Sequence, residues 1–344
     1  MQYKQCSTHI SVAATMVAIA CVLAASAFGQ SGDNITVTAP TTNSTVTWPV
    51  QVSATFSGCG GTSTGFGYSV ESSPFITWGQ STTVINNTDY RLTPGNYSTI
   101  HFKGWSGTPL CELNITNVTV TGPSNITTVP NIEDYPNSQW KWVKDTGTPG
   151  TASGTTNLVN GSPCQDSECR EFTMTFTDGG GMRGSTSFGS DPNHLATHFV
   201  YDTYVYFLNT TEYVQNIELD TNQVWDSNND VLIYGLQCAN DGHWQYTTYS
   251  GWHDSNVTCP KPSTWSPNSW HHVQLAVHRD DSGNAYYDSV TLDGKTSNFT
   301  NAYGNSSFAL DWAAGDLVLN FQLDGLGASG SITAYVDGLT EIYW

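Results

Sequence analysis

Basic residues are scarce in this sequence. Lysine and arginine together number 10 in 344 residues against 29 aspartates and glutamates, so the formal charge near neutrality is −19. Nucleic acid and anionic membrane surfaces are recognised by clustered Lys and Arg, and this balance argues against both as partners. No CxxC and no Cys/His zinc spacing occurs, which argues against thiolate-held metal. Beyond the first 30 residues no apolar run is long enough to cross a bilayer. Lys, Glu and Ala are sparse there too, while Thr, Ser, Asn and Gly abound, a composition suited to short strands and turn-rich loops. The expectation is an all-β protein.

The first 29 residues read differently. Lys4 gives a weakly positive start, Ile10 to Ala27 is small and apolar, and Ala25-Ser26-Ala27 offers a cleavage site. Residues 1–29 are therefore expected to be a signal peptide, with a secreted, periplasmic or surface location and no membrane insertion after cleavage. Removing Cys6 and Cys21 with the leader leaves six cysteines, an even number suited to an oxidising compartment. Proximity favours Cys59–Cys111, Cys164–Cys169 and Cys238–Cys259 among the 15 possible pairings.

Residues 31–121 alternate in short runs, such as Ile35-Thr36-Val37-Thr38 and Val50-Gln51-Val52-Ser53-Ala54-Thr55-Phe56, broken by Pro40, Gly58 and Pro94-Gly95. That pattern and one long-range cysteine pair fit a small sandwich. The opening Ile35 to Pro40, followed by Ser44-Thr45-Val46, resembles the start of bacterial Ig-like repeats. Residues 122–135, with prolines at 123 and 130 and no sustained alternation, read as a linker.

Residues 136–344 read as a larger two-sheet jelly roll, with strands expected at 171–176, 203–208, 213–223, 231–237, 244–248, 271–279, 285–292, 317–323 and 332–343. Trp270-His271-His272-Val273-Gln274-Leu275-Ala276-Val277, then Tyr287 and Leu292-Asp293-Gly294, resembles the rhythm of concanavalin A-like lectin/glucanase sandwiches. The closing Ile332 to Leu339 is similar to their last strand. The resemblance implies a concanavalin A-like β-sandwich, and a polysaccharide or glycan as partner.

Three stretches carry the candidate chemistry. In 216–223 the period-two alternation puts Asn216, Glu218, Asp220 and Asn222 on one face; 271–278 does the same for His272 and Gln274, and 318–324 for Asn320 and Gln322. His243, Trp244 and Gln245 add an indole beside imidazole and amide. Planar amides and carboxylates accept and donate to sugar hydroxyls while ring faces stack on the pyranose, so these residues are candidates for carbohydrate binding, with Trp244 stacking. Trp225, Trp252 and Trp265 are expected to be core or loop anchors, and Arg183 to lie in a Gly-rich loop.

Glu218-Leu219-Asp220 resembles the first half of the E-x-D-x-(x)-E strand of laminarinase-type hydrolases, where the first Glu is nucleophile and the last the acid/base. The position of that last acid holds Asn222 or Gln223, neither of which exchanges a proton near neutrality. If the protein is an enzyme, hydrolase or lyase, Glu218, Asp220, His272 and Gln274 are the candidates. The expected function is nonetheless non-catalytic glycan binding, with a structural or adhesive surface role as a further alternative. No cofactor is indicated. A structural calcium fits the resemblance, and Asp226-Ser227-Asn228-Asn229-Asp230 is rich in hard oxygens but lacks an EF-hand's Gly and Glu.

Overall fold

The computed structural model describes residues 30–32, 35–57, 59, 65–70, 83–105, 109–165, 167–224, 230–305, 307–309 and 313–344. The expected leader, Trp225 and the Asx-rich stretch 226–229 lie outside the described residues. The chain is all-β, as its composition suggests. The N-terminal strands are β1 (Gln30–Gly32), β2 (Ile35–Ala39), β3 (Thr45–Thr47), β4 (Val50–Phe56), β5 (Gly65–Val70), β6 (Val84–Asp89), β7 (Gly95–Trp105) and β8 (Pro109–Thr121). They form a row β1-β2-β4-β6 and a separate sheet β3-β8-β7-β5. Alternation drives this packing: in β4, Val50, Val52, Ala54 and Phe56 are buried while Gln51 and Thr55 face water. Their core, with Tyr68, Ile100, Phe102 and Ile115, is crossed by the Cys59–Cys111 disulfide.

The segment expected as a linker is docked in its second half, while 122–125 are exposed. β9 (Thr127–Val129) pairs with the last strand of the chain, and a single 3-10 turn follows at Ile132–Asp134. Ile132 is buried, and both Glu133 carboxylate oxygens accept backbone N–H groups, of Gly338 at 2.6 Å and Leu339 at 2.9 Å. Orphan amides at a bend thus hold the connection down, which proline content alone does not reveal.

The larger part comprises β10 (Lys141–Lys144), β11 (Thr151–Ser153), β12 (Thr156–Asn160), β13 (Glu168–Thr177), β14 (Gly181–Ser190), β15 (His198–Phe207) and β16 (Val214–Val224). It continues with β17 (Asp230–Ala239), β18 (His243–Thr248), β19 (Gly251–Thr258), β20 (Trp270–Arg279), β21 (Asn284–Leu292) and β22 (Lys295–Asn298). β23 (Tyr303–Asn305), β24 (Ser307–Ala309), β25 (Asp316–Gly325) and β26 (Ser329–Tyr343) complete it. One sheet runs β10-β14-β25-β16-β17-β18-β19; the other runs β22-β21-β20-β15-β26-β13-β11. Between them lies one apolar core, to which Ile217, Leu219, Leu236 and Phe321 contribute from the first sheet, and Phe172, Phe199, Val273 and Val336 from the second. All nine strands expected from alternation are present. The disulfides Cys164–Cys169 and Cys238–Cys259 form as expected, and three such bonds accord with an oxidising compartment. Among the described residues no helix is long and apolar enough to cross a membrane.

The two parts share structure. β6 pairs with β22, so the N-terminal row continues the second sheet of the larger sandwich. Val200, Ala276 and Ile342, on the outer face of that sheet, are buried in the N-terminal core. Arg91, just after β6, donates to the Asp202 carboxylate and to Gly338 O (2.7 Å).

Candidate functional site

The face of the first sheet turned away from the core carries the candidate site. Cross-strand partners point the same way, so register decides which side chains meet. One row crosses six strands: Arg183 (β14), Gln322 (β25), Glu218 (β16), Gln237 (β17), Gln245 (β18) and Asp254 (β19). Beside it Ser185, Asn320 and Asp220 align with Gly235, and on the other side Asp324 aligns with Asn216. Of these, Arg183, Gln322, Glu218, Gln237, Asn320, Asp220, Asp324 and Asn216 form the floor of a groove of about 660 Å³. Its walls include the loop at Gly147–Pro149, the turn at Asp178–Gly179, and Trp252. Lys144 holds the first wall, its Nζ donating to Thr148 O and Oγ1, both at 2.8 Å.

Glycines make room on this floor. A Cβ on Gly235 would lie 2.8 Å from Asp220 Oδ1 and from the Thr247 methyl, and one on Gly181 would lie 2.1 Å from Asp324 Oδ1. Close approach of this kind is a standing reason for glycine inside a strand. It also explains why Gly181 to Ser190 reads as a loop in sequence while forming β14, and it puts Arg183 on the floor.

Three of the floor's amides donate to its carboxylates. Asn320 Nδ2 donates to Asp220 Oδ2 (3.0 Å), Asn216 Nδ2 to Asp324 Oδ2 (3.2 Å), and Gln322 Nε2 to Asp324 Oδ1 (3.1 Å). What remains is a set of oxygen acceptors. Asn320 Oδ1 and Asn216 Oδ1 are buried with no hydrogen-bond donor among the described residues, while the Asp220 carboxyl is hydrogen-bonded to Glu218. Burial and the neighbouring charges of Asp220 and Asp324 push Glu218 well above the usual carboxylate range. Burial also raises Asp220 and Asp324, each to about 6, in spite of the hydrogen bonds from Asn320 and Asn216.

Not every candidate residue joins this floor. Asn222 is buried between Val318 and Ile233 across the strands, and donates to Val318 O. Trp244 points into the core, because alternation sends it to the side opposite Gln245. The indole in the groove is instead Trp252, 38 % exposed; Trp265 is buried as an anchor. His272 and Gln274 lie on β20 in the other sheet, where both engage Asp202, His272 Nε2 at 3.1 Å from its Oδ1. Their face is covered by Arg91 and the N-terminal sandwich, so they do not meet Glu218. Sequence gives the face of a strand but not its neighbours, and this separation was not legible.

His243 stands at the sheet's far edge. Its Nδ1 lies 3.8 Å from Asp241 Oδ1 and 3.9 Å from Asp254 Oδ2, and the three ligand atoms fall within 4.8 Å of one another. Gln245 donates to the other oxygen of each aspartate, at 2.8 Å in both cases, and accepts from Gln237 at 2.6 Å. One imidazole and two carboxylates suit a divalent ion such as Zn²⁺ or Mn²⁺, with Gln245 orienting the ligands.

No protein-family model matches the sequence, and none of the curated proteins does. Solved structures do match. A structure of carbohydrate-binding modules from the β-sandwich superfamily is similar at 14 % identity and a TM-score of 0.34, over 87 % of this chain and 92 % of that one. The family 11 carbohydrate-binding module from Clostridium thermocellum, in complex with a β-1,3-1,4-mixed-linked tetrasaccharide, is similar at 12 % identity and 0.31, over 62 % and 94 %. Lectin I-B4 from Griffonia simplicifolia, in its metal-free form, is similar at 11 % identity and 0.35, over 64 % and 99 %. Likenesses at this level carry no weight for what this chain does; the β-sandwich stands on the strand pairing above.

Proposed function

We propose that the groove binds a polysaccharide chain without cleaving it, and that the protein acts as a secreted, lectin-like glycan binder. The observation that carries this reading is the polar row from Arg183 to Gln237 beneath an open groove with Trp252 at its wall. Alternating amides, carboxylates and one exposed indole are the groups that take sugar hydroxyls and a pyranose face. Glu218, Asp220, Asn216, Asn320 and Gln322 serve as binding residues. The N-terminal unit is read as an Ig-like module: its β2-β4-β6 row against β3-β8-β7-β5 follows the strand order of such sandwiches.

The test is retention on a panel of insoluble and soluble polysaccharides, with reducing ends and unsaturated products read on the same samples. Retention without product is expected, lost in Glu218→Ala at unchanged fold. A second reading, cleavage of the glycan, is favoured by the raised Glu218 beside Asp220, a pairing suited to general-acid work. Product formation abolished by Glu218→Gln would establish it and sink the first. Neither retention nor product would leave a structural surface role.

A further inference from the structure

We infer that the groove takes a cationic glycan, a polysaccharide bearing free amino groups such as a glucosamine polymer, in preference to neutral or uronate chains. This rests on the glycan-binding reading of the same groove and narrows it to a substrate class.

The charge of the lining is one-sided. Asp145, Asp178, Asp220 and Asp324, together with Glu218, whose ionisation burial disfavours, face the groove against the single guanidinium of Arg183. The nearest ammonium, Lys144, is committed to Thr148 and the Asp145 carbonyl. A cleft lined by one sign of charge concentrates ligands of the other sign and repels its own. A uronate would bring a further carboxylate into it.

Hydrogen bonding points the same way. The amide N–H₂ groups of Asn216, Asn320 and Gln322 are turned to carboxylates. The oxygens left over include Asn320 Oδ1, on a residue only 1 % exposed, and Asn216 Oδ1, and a buried acceptor without a donor is costly. An ammonium offers three donors, no acceptor and a compensating charge. A compact metal ion suits the lining less well. Among the described residues no three groove carboxylates bring their oxygens within 4.8 Å of one another, a property confined to Asp241, His243 and Asp254. The groove's acids are spread along it, some on strands about 4.8 Å apart, and fit positive charges repeated along a polymer.

A cation in the groove would also favour the ionised forms of Asp220 and Asp324, both raised to about 6 by burial. Glu218, Asp145, Asp178, Arg183 and Lys144 share that field. Binding should therefore release protons, which calorimetry in buffers of different ionisation enthalpy detects.

The experiment compares glucosamine oligomers, the same oligomers fully N-acetylated, and neutral glucose oligomers of equal length, by titration calorimetry with the full protein. The free-amine chain is expected to bind at least about tenfold tighter than its acetylated counterpart at low salt. That advantage should shrink as the Debye length falls from about 10 Å at 0.1 M to about 3 Å at 1 M salt. Asp145→Asn, at the rim where folding is little affected, should reduce the advantage. Equal or weaker binding of the free-amine chain, with neutral chains still bound, would overturn the inference and leave the glycan-binding reading standing. A preference unchanged by salt and by Asp145→Asn would also overturn it. Binding of none of the three would overturn both.

Discussion

Arg91→Met tests how the two sandwiches are joined. The Arg91 guanidinium donates to Asp202 and to Gly338 O and lies over the Tyr204 ring at 5.6 Å. Its side chain is 12 % exposed and that of Asp202 only 1 %, so little solvent screening applies. Burial alone would raise Asp202; Arg91, then His272 and Gln274, bring it down to about 2. That depression, from 3.8, is roughly two units and corresponds to about 2–3 kcal/mol. Removing one partner of a buried pair typically costs about 3–5 kcal/mol, and the lower end is expected here because His272 and Gln274 remain. The sign follows from linkage. A depressed folded-state value gives stability that is present above the unfolded value and lost as pH falls toward about 2. In Arg91→Met only His272 and Gln274 oppose the burial, so Asp202 rises and destabilises the protein as pH increases. Urea unfolding should therefore show a loss of about 3 kcal/mol near neutrality, narrowing toward about pH 4. Adding Asp202→Asn should recover most of it. A loss under about 1 kcal/mol at neutral pH, as for an exposed pair, would refute the reasoning. So would the same loss at both pH values.

Three further outcomes follow from the groove. Trp252→Ala should weaken glycan binding about tenfold without moving Tm, whereas Trp244→Ala should cost about 3–5 kcal/mol of stability, both read by paired binding and melting curves. Asp324 carries a raised value of about 6 against 3.8, so it stabilises the fold below about pH 4 and that contribution is lost as pH climbs through 6. Asp324→Asn should flatten the stability-versus-pH profile by up to about 3 kcal/mol over that window, and an unchanged slope in urea titrations would count against it. Gly235→Val places side-chain carbon where 2.8 Å separates a Cβ from Asp220 Oδ1; it should abolish binding and cost about 1–3 kcal/mol, measured on the folded variant.

Much of the sandwich was legible because alternation is a local property. Val273, Leu275 and Val277 on one face of β20, or Leu319, Phe321 and Leu323 on one face of β25, announce a strand and its buried side. The same period shows that Trp244 and Gln245, being neighbours in β18, cannot share a face. What alternation cannot supply is partnership. Glu218 meets Gln322 because β25 pairs with β16 across about 100 residues of chain, and His272 is sealed because a different unit covers its face. Arg183 stayed hidden for another reason. Glycines at 181 and 184 are placed there by the close approach of Asp324 and Phe172, and they carry the sequence signature of a turn.

The β6–β22 pairing and the apolar contacts of Val200, Ala276 and Ile342 have a mechanical consequence. A pull on the N-terminal sandwich would enter the larger one through Arg91 and a broad packed face loaded in shear. It would not have to travel along residues 122–135 as along a rope. A ligand held in the groove would thus be kept at a fixed aspect to whatever the N-terminal sandwich is fastened to, and the protein would carry tension as a bracket rather than as a tether.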